Sequence, residues 1–532
     1  MTFYGLAFKF IIDALFSWGR MFIALFISIA ISIVIGVYAA LSPRAEKIIL
    51  PVTDILQTIP ILAFFPIALV IFVFYLPGYI GINAAVIFLI VTSMVWNIIF
   101  GVYESIKTIP REFIEVANLY RMRTIERLRK IFIPAALPRI VQQSILSWSI
   151  GLFYLVTSEI FSMGTVSEQV QHGIGVDLIK YAPGTAGGSI QAYLLGIAIF
   201  IIFVVLTRFL FFKPLEDYAD RYTRATPKST RRFARTGMFV SWFSKRVIAQ
   251  PFYAFAPSKS PAKKKAFKMV GQTPQAQVQE KGFVISKWIY YAIAAIVILA
   301  IIGYIVSVYP AAISLEETSL VALLFSFARV WVAFALITAI AFPLCVYLVF
   351  KSRQSSKYVL FFQIIASIPA TILLPGIAIV FSGFPYRGEF VAMAVFFLSG
   401  IWYVIFSIYA STRTLPASIF EVKKLFGIKG IPAWKNIYIK ALLPGFITGA
   451  LTAIAAEWNA SIVAEYFTSA GLTGGTITSS VQHGIGTLLD SALGSNNLAL
   501  MGVALLNLVV MILLINTFVW KRMYRNVSKI YG

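Results

Sequence analysis

Runs of about twenty apolar residues recur along almost the whole chain, at 21–41, 52–76, 84–103, 139–161 and 190–212, then at 286–308, 319–350, 358–382, 390–411, 445–467 and 498–520. That length is what an α-helix needs to cross the hydrocarbon core of a bilayer. Only helices and closed barrels satisfy their backbone hydrogen bonds in lipid. Barrel strands alternate apolar and polar residues, whereas these runs are continuous. The expected fold class is an all-α polytopic membrane protein with about eleven spans. Residues 1–18, which carry Lys9 and Asp13, read separately as a short amphipathic helix on the membrane surface.

Charge sets the orientation. The net charge of +24 does not imply a nucleic-acid partner, because Lys and Arg gather in the loops between apolar runs, where basic residues mark the cytoplasmic face. The densest block is 213–285, with 15 Lys+Arg against 4 Asp+Glu, which reads as a cytoplasmic linker beside lipid head groups. The segments 42–47, 110–138, 351–357, 412–444 and the basic C-terminal stretch also belong inside. Eleven spans then put the N-terminus outside and the C-terminus in the cytoplasm of a cell-membrane protein, with Glu316 and Glu317 outside. The lone cysteine, Cys345, excludes a disulfide framework or a cysteine metal site.

The chain also repeats itself. The loop 110–138 returns as 416–444, with Glu115 and Glu421 306 residues apart. Arg20 matches Arg329, Ile59-Pro60 matches Ile368-Pro369, Pro66 matches Pro375, and Trp96 matches Trp402. Each repeat has five spans, 1–212 and 309–532, and the extra span 286–308 carries the chain back across so that both run in the same direction. The pseudo-two-fold axis then lies along the membrane normal.

Both histidines of the chain, His172 and His483, sit in the pentapeptide QHGIG, with Gln171 and Gln482 beside them, each following a repeated glutamate, Glu159 or Glu465. Two readings stand: these residues line a translocation path, or they cap a tight glycine-bearing turn. The second repeat alone carries Glu457, Trp458, Asn459 and Ser461, opposite Gly151 to Leu155 of the first. Polar groups in a span face a pore or a neighbouring helix. Arg20 and Arg329 have two readings, drawing anions into the vestibule or snorkelling to head groups, and the second is preferred.

The paired loops resemble the cytoplasmic EAA loop of ABC-importer permeases, the membrane components of binding-protein-dependent transport. Glu115, Ala117, Ile131 and Pro134 fit its pattern in the first copy, with Val116 and Arg121 in place of Ala and Gly. Glu421, Gly427 and Ile437 fit in the second, with Val422 and Lys423 in place of both Ala and Lys440 in place of the Pro. The resemblance implies a fused permease, whose loop helices dock on two ABC ATPase subunits in the cytoplasm. It implies ATP and Mg on those partners, no cofactor in this chain, and an external solute-binding protein. Within the family, the chain is most similar to the duplicated permeases of the nitrate, sulfonate and bicarbonate group, which implies a small anion as solute. Fused permeases for ferric iron or thiamine are the alternative solute class, and an ATP-independent channel or secondary transporter is the alternative mechanism. The sequence contains no G-x-x-x-x-G-K-[ST] phosphate loop and no nucleophile–base pair, so it reads as a transport subunit and not an enzyme.

Overall fold

The computed structural model describes residues 3–219 and 287–515, apart from 59–60, 62–67, 69–70, 73, 77, 166–169, 184–187, 351–357, 359–360, 363–364, 412–424, 471–480 and 496, together with Phe518. Along 161–165, 287–314 and 466–470 the backbone alone is described. The linker from 220 to 286, Glu421 and the basic C-terminal stretch lie outside the described residues.

Every regular element among the described residues is a helix. The first repeat comprises α1 (Phe3–Leu41), α2 (Pro43–Thr58), α3 (Tyr79–Lys107), the short α4 (Arg111–Leu119), α5 (Ile133–Thr165), α6 (Ile174–Lys180) and α7 (Ile190–Thr207). The second comprises α8 (Lys287–Phe350), α9 (Ala370–Val380), α10 (Arg387–Ser411), α11 (Ile439–Ala470), α12 (Ile485–Gly494) and α13 (Leu498–Ile515). Seven helices among the described residues are long and apolar enough to span a bilayer, and two shorter apolar ones accompany them. The chain is an all-α polytopic membrane protein.

The repeats have the same internal order. Helix α1 packs on α3 and α3 on α5, just as α8 packs on α10 and α10 on α11. Small residues let the backbones close up, since lipid gives helices no hydrophobic reason to associate and packing must supply it. A Cβ on Gly36 would meet Val102 at 2.8 Å, and one on Gly449 would meet the Cα of Val404 at 2.8 Å. The repeats join through crossed contacts: α9 packs on α5 and α6 of the first repeat, while α2 reaches α13 of the second.

Two features differ from the sequence expectation. Residues 3–18 are not a separate surface helix but the first part of α1, where Phe10, Asp13, Ala14 and Trp18 are buried. The charges that suggested a surface location are paired inside the fold, as described below. The runs 286–308 and 319–350 form one unbroken helix, α8, so Glu316 and Glu317 are helical and not a turn. The expected separate span 286–308, which would carry the chain back across, is continuous with the next run, and an unbroken helix cannot cross and return.

Candidate functional site

The two QHGIG segments are each held by a buried clasp built from four elements. In the first repeat, α1 presents Ser17 and Arg20 on one face, three residues apart. Arg20 donates to Glu159 Oε1 on α5 at 2.7 Å, to Asn83 Oδ1 on α3 at 2.6 Å and to the His172 carbonyl at 2.7 Å. Ser17 donates to Glu159 Oε1 at 2.6 Å and accepts from the Ile174 amide at 3.0 Å. The Gly175 amide donates to Glu159 Oε2 at 2.8 Å. Arg20 is 4% exposed and Glu159 fully buried. Such a pair is tolerated out of water only because its remaining donors and acceptors are also matched.

The second repeat reproduces this arrangement. Arg329 donates to Glu465 Oε1 at 2.8 Å, the Gly486 amide to Oε2 at 2.9 Å, Ser326 to both carboxylate oxygens at 2.8 Å, and the Ile485 amide to Ser326 Oγ at 2.9 Å. Glu389 on α10 stands where Asn83 stands on α3 and binds Arg329 through both oxygens. The arginines therefore do not snorkel to head groups, because each has a buried carboxylate within reach. The glycines of the pentapeptide fit because the glutamate lies against them: a Cβ on Gly173 would sit 2.7 Å from Glu159 Cδ, and one on Gly484 2.6 Å from Glu465 Cδ. Gln171, His172, Gln482 and His483 point outward and are exposed. Phe16 stacks on His172 at 4.9 Å, and Phe325 lies 5.2 Å from His483.

The first clasp also carries a cluster of further charges. Asp13 binds His172 Nδ1 at 2.8 Å and Lys9 at 3.2 Å, and Lys9 also bonds Asp177 on α6. Burial, with the Asp13 carboxyl beside it, pushes Asp177 up to about 7, Lys9 offsetting part of the rise. Ala322 and Leu488 occupy the matching positions in the second repeat.

The residues peculiar to the second repeat separate into two kinds. Glu457, Trp458 and Ser461 are buried within that repeat. The Glu457 carboxyl has no hydrogen-bond partner among the described residues and lies against Gly400, a Cβ there being 2.7 Å from Oε1. In the first repeat the same gap is filled from the opposite helix, Met94 standing against Gly151. Asn459 instead crosses to the first repeat, where its Oδ1 accepts from the Tyr154 hydroxyl at 2.6 Å and the Ile61 amide at 2.9 Å. Tyr193 on α7 also donates across the seam, to the Ile372 carbonyl.

On the loops, Glu115 is exposed on α4 while Ala117 is fully buried beneath it. The outer face of α4 and the turn after it carries Phe113, Val116, Leu119, Tyr120 and Ile125, all at least 49% exposed. Helix α4 ends with Arg121 in the left-handed region (φ 46°) and bonds from Arg121 to Asn118 and from Met122 to Ala117. That is the hydrogen-bond pattern of a glycine-type helix stop. Gly427, 306 residues on, has φ 58°. The substitution noted at Arg121 thus keeps the backbone of the glycine it replaces. Both loops then enter their long helices through a π-helical turn, Leu128–Phe132 and Trp434–Tyr438. Ile131 and Ile437 are half-buried in these turns, and Pro134 follows the first.

The sequence profile of the family described as "Binding-protein-dependent transport system inner membrane component" matches residues 32–216 and 332–527. The chain belongs to this family, with its unit present twice. Among curated permeases, this one is 31% identical over 140 residues to the bicarbonate transport system permease protein CmpB of Synechococcus elongatus, covering 26% of this chain and 48% of that protein. It is 26% identical over 214 residues to the glycine betaine/proline betaine transport system permease protein ProW of Escherichia coli, covering 40% and 53%. It is 25% identical over 194 residues to the nitrate import permease protein NrtB of Synechococcus elongatus, covering 36% and 64%. The chain spans about half the length of the first two relatives and somewhat more of the third.

Sequence reasoning found the glutamates and histidines of the clasps but not Ser17, Ser326, Asn83 or Glu389. The signal was present: FSWGR at 16–20 returns as FSFAR at 325–329. Tyr154 left no such trace, because its counterpart 306 residues on is Ala460.

Proposed function

We propose that this permease forms the complete translocation pathway of an ATP-driven importer for a small anion of the nitrate, sulfonate or bicarbonate kind. An external solute-binding protein delivers the anion, and two ABC ATPase subunits on the cytoplasmic side hydrolyse ATP with Mg. The N-terminus lies outside and the C-terminus in the cytoplasm. The observation that carries the reading is the apolar outer face of α4, raised on a buried Ala117 and closed by a fixed helix stop. An amphipathic helix with an exposed apolar face is suited to a groove on a soluble partner. Glu115, Ala117, Ile131 and Pro134, with Glu421, Gly427 and Ile437, couple the partner's motion to the spans. The anion rests on the bicarbonate and nitrate permeases among the relatives. The betaine permeases among them make a zwitterion the second solute class.

Purification in gentle detergent from native membranes tests this reading. An ATPase in stoichiometric amount and a binding protein carrying an oxyanion or sulfonate are expected. Failure to recover an ATPase, together with uptake that survives Glu115→Ala plus Glu421→Ala, would instead identify an ATP-independent channel.

A further inference from the structure

One atom collects two of the hydrogen bonds that cross the seam between the repeats. Asn459 Oδ1 receives two hydrogen bonds from the first repeat, one from a tyrosine hydroxyl and one from a backbone amide. Two donors converging on one oxygen are the arrangement an oxyanion oxygen would use. Asn459 also bonds its own helix through Nδ2, to the Ala455 carbonyl at 2.9 Å, which fixes the amide with its oxygen toward the seam.

Positions seven and eleven residues back along a helix share a face, because 3.6 residues make a turn. For Asn459 these are Thr452 and Thr448, both exposed. Their face is turned toward the first repeat, since Asn459 is bonded there. The same rule applied to Phe153, the counterpart of Asn459 by the 306-residue offset, gives Leu146 and Gln142, again exposed. Both helices thus leave a face uncovered below the hydrogen bonds of Asn459, which is where a passage between the repeats would run. The hydroxyls of Thr448 and Thr452 are held by carbonyls of their own helix, which lets them line that passage without unsatisfied donors.

We propose that the Tyr154 hydroxyl and the Ile61 amide are the oxyanion subsite of this passage, occupied in the closed state by the Asn459 carbonyl oxygen, which the solute displaces. The proposal rests on the anion reading above. It adds which groups touch the solute and why the second repeat needs an asparagine where the first has phenylalanine. An oxyanion is a stronger acceptor than an amide, since hydrogen bonds to a charged group are worth about twice a neutral one. The solute therefore opens the closure by outcompeting it, and the asparagine reseals the closure behind the solute. Solutes without an anionic oxygen have no such advantage over the amide oxygen.

The test is uptake of labelled nitrate, bicarbonate and methanesulfonate, with glycine betaine alongside. The host is a cell without its own carriers for these solutes, expressing the full chain with the subunits that co-purify with it. Tyr154→Phe keeps the ring and removes one donor, and is expected to lower the maximal oxyanion uptake rate about tenfold. The half-saturating concentration, set by the binding protein, stays unchanged. Asn459→Ala removes the competing oxygen and is expected to keep uptake within about threefold of wild type while raising binding-protein-independent leak. Asn459→Asp strengthens the closure by supplying a charged acceptor and is expected to cut uptake more than tenfold. A purely structural role for Asn459 would reverse that order, with alanine the worse replacement. Wild-type oxyanion uptake rates in Tyr154→Phe, or an alanine variant as inactive as the aspartate variant, would overturn the subsite and leave the anion reading standing. A wild-type protein that carries betaine and none of the oxyanions would overturn both. Should Tyr154→Phe fail to reach the membrane, the pair of Asn459 variants decides the matter.

Discussion

Removing Arg20 from the first clasp should be among the most damaging single changes available to this chain. Arg20→Met preserves the length of the side chain and some of its packing but withdraws three hydrogen bonds: to Glu159, to Asn83 and to the carbonyl of His172. Glu159 then loses its Arg20 counter-charge at full burial and keeps the bonds from Ser17 and Gly175. Breaking a buried pair on one side costs about 3–5 kcal/mol, because the surviving charge is stranded. Marginal stability leaves a typical protein only about 5–15 kcal/mol in total. The double variant Arg20→Met with Glu159→Met removes both charges and is expected to recover much of that loss. The two single losses should therefore exceed the double loss by a clear margin. Equilibrium unfolding in mixed micelles, with detergent as the titrant, measures all three. A single-variant loss below about 1 kcal/mol is what an exposed ion pair gives. That result would mean Arg20 does reach the head groups and that the clasp is not the lock described here. Arg329→Met and Glu465→Met provide the same cycle in the second repeat.

Three further outcomes follow from the same geometry. Arg121→Gly should stabilise the turn after α4 by about 1 kcal/mol, because a side chain in the left-handed region is strained and glycine is not; amide hydrogen exchange over 117–122 should slow, and faster exchange would contradict the helix-stop assignment. Glu457→Met should stabilise the second repeat by about 1–3 kcal/mol, the worth of a buried polar group left without a partner, and a loss of stability would reveal a partner for that carboxyl. Asp177, facing Lys9, Asp13 and His172, holds a proton that the unfolded chain has already released, so its contribution to stability is whole at low pH and is lost as pH rises from the ordinary carboxylate range to about 7. An infrared carboxylic-acid band present at pH 6, gone at pH 8 and missing from Asp177→Asn checks this, and a band unaffected by the substitution would refute it.

Periodicity and recurrence made the helical class, the repeat and the paired loops legible in the sequence, because each is a local pattern copied twice. What it hid were partnerships between distant positions. Lys9 and Asp13 looked like surface charges because their partner Asp177 is 168 residues from Lys9. Arg20 and Arg329 looked lipid-facing because a charge near the start of a span ordinarily is, and only the fold brings Glu159 and Glu465 to them. The recurring glutamates and histidines were visible as important but not as members of one lock. Asn459 was visible as an asymmetry, yet nothing in the sequence pointed to Tyr154, whose counterpart carries no hydroxyl. The loop motif was degenerate in letters and intact in backbone, since Arg121 adopts the conformation that the glycine would have supplied.

The bonds between Asn459 and the first repeat have a consequence that a pair of identical subunits could not have. Two identical subunits around a two-fold axis must show every off-axis group twice, pointing in opposite directions, so their dipoles cancel across the channel. Here the counterpart of the asparagine in the first repeat is a phenylalanine, and nothing cancels. The cross-section of the conduit has a sense, with hydrogen-bond donors on one wall and acceptor-bearing threonines and an amide on the other. A planar or dipolar molecule threading it would be turned to a preferred heading before it reached the cytoplasm.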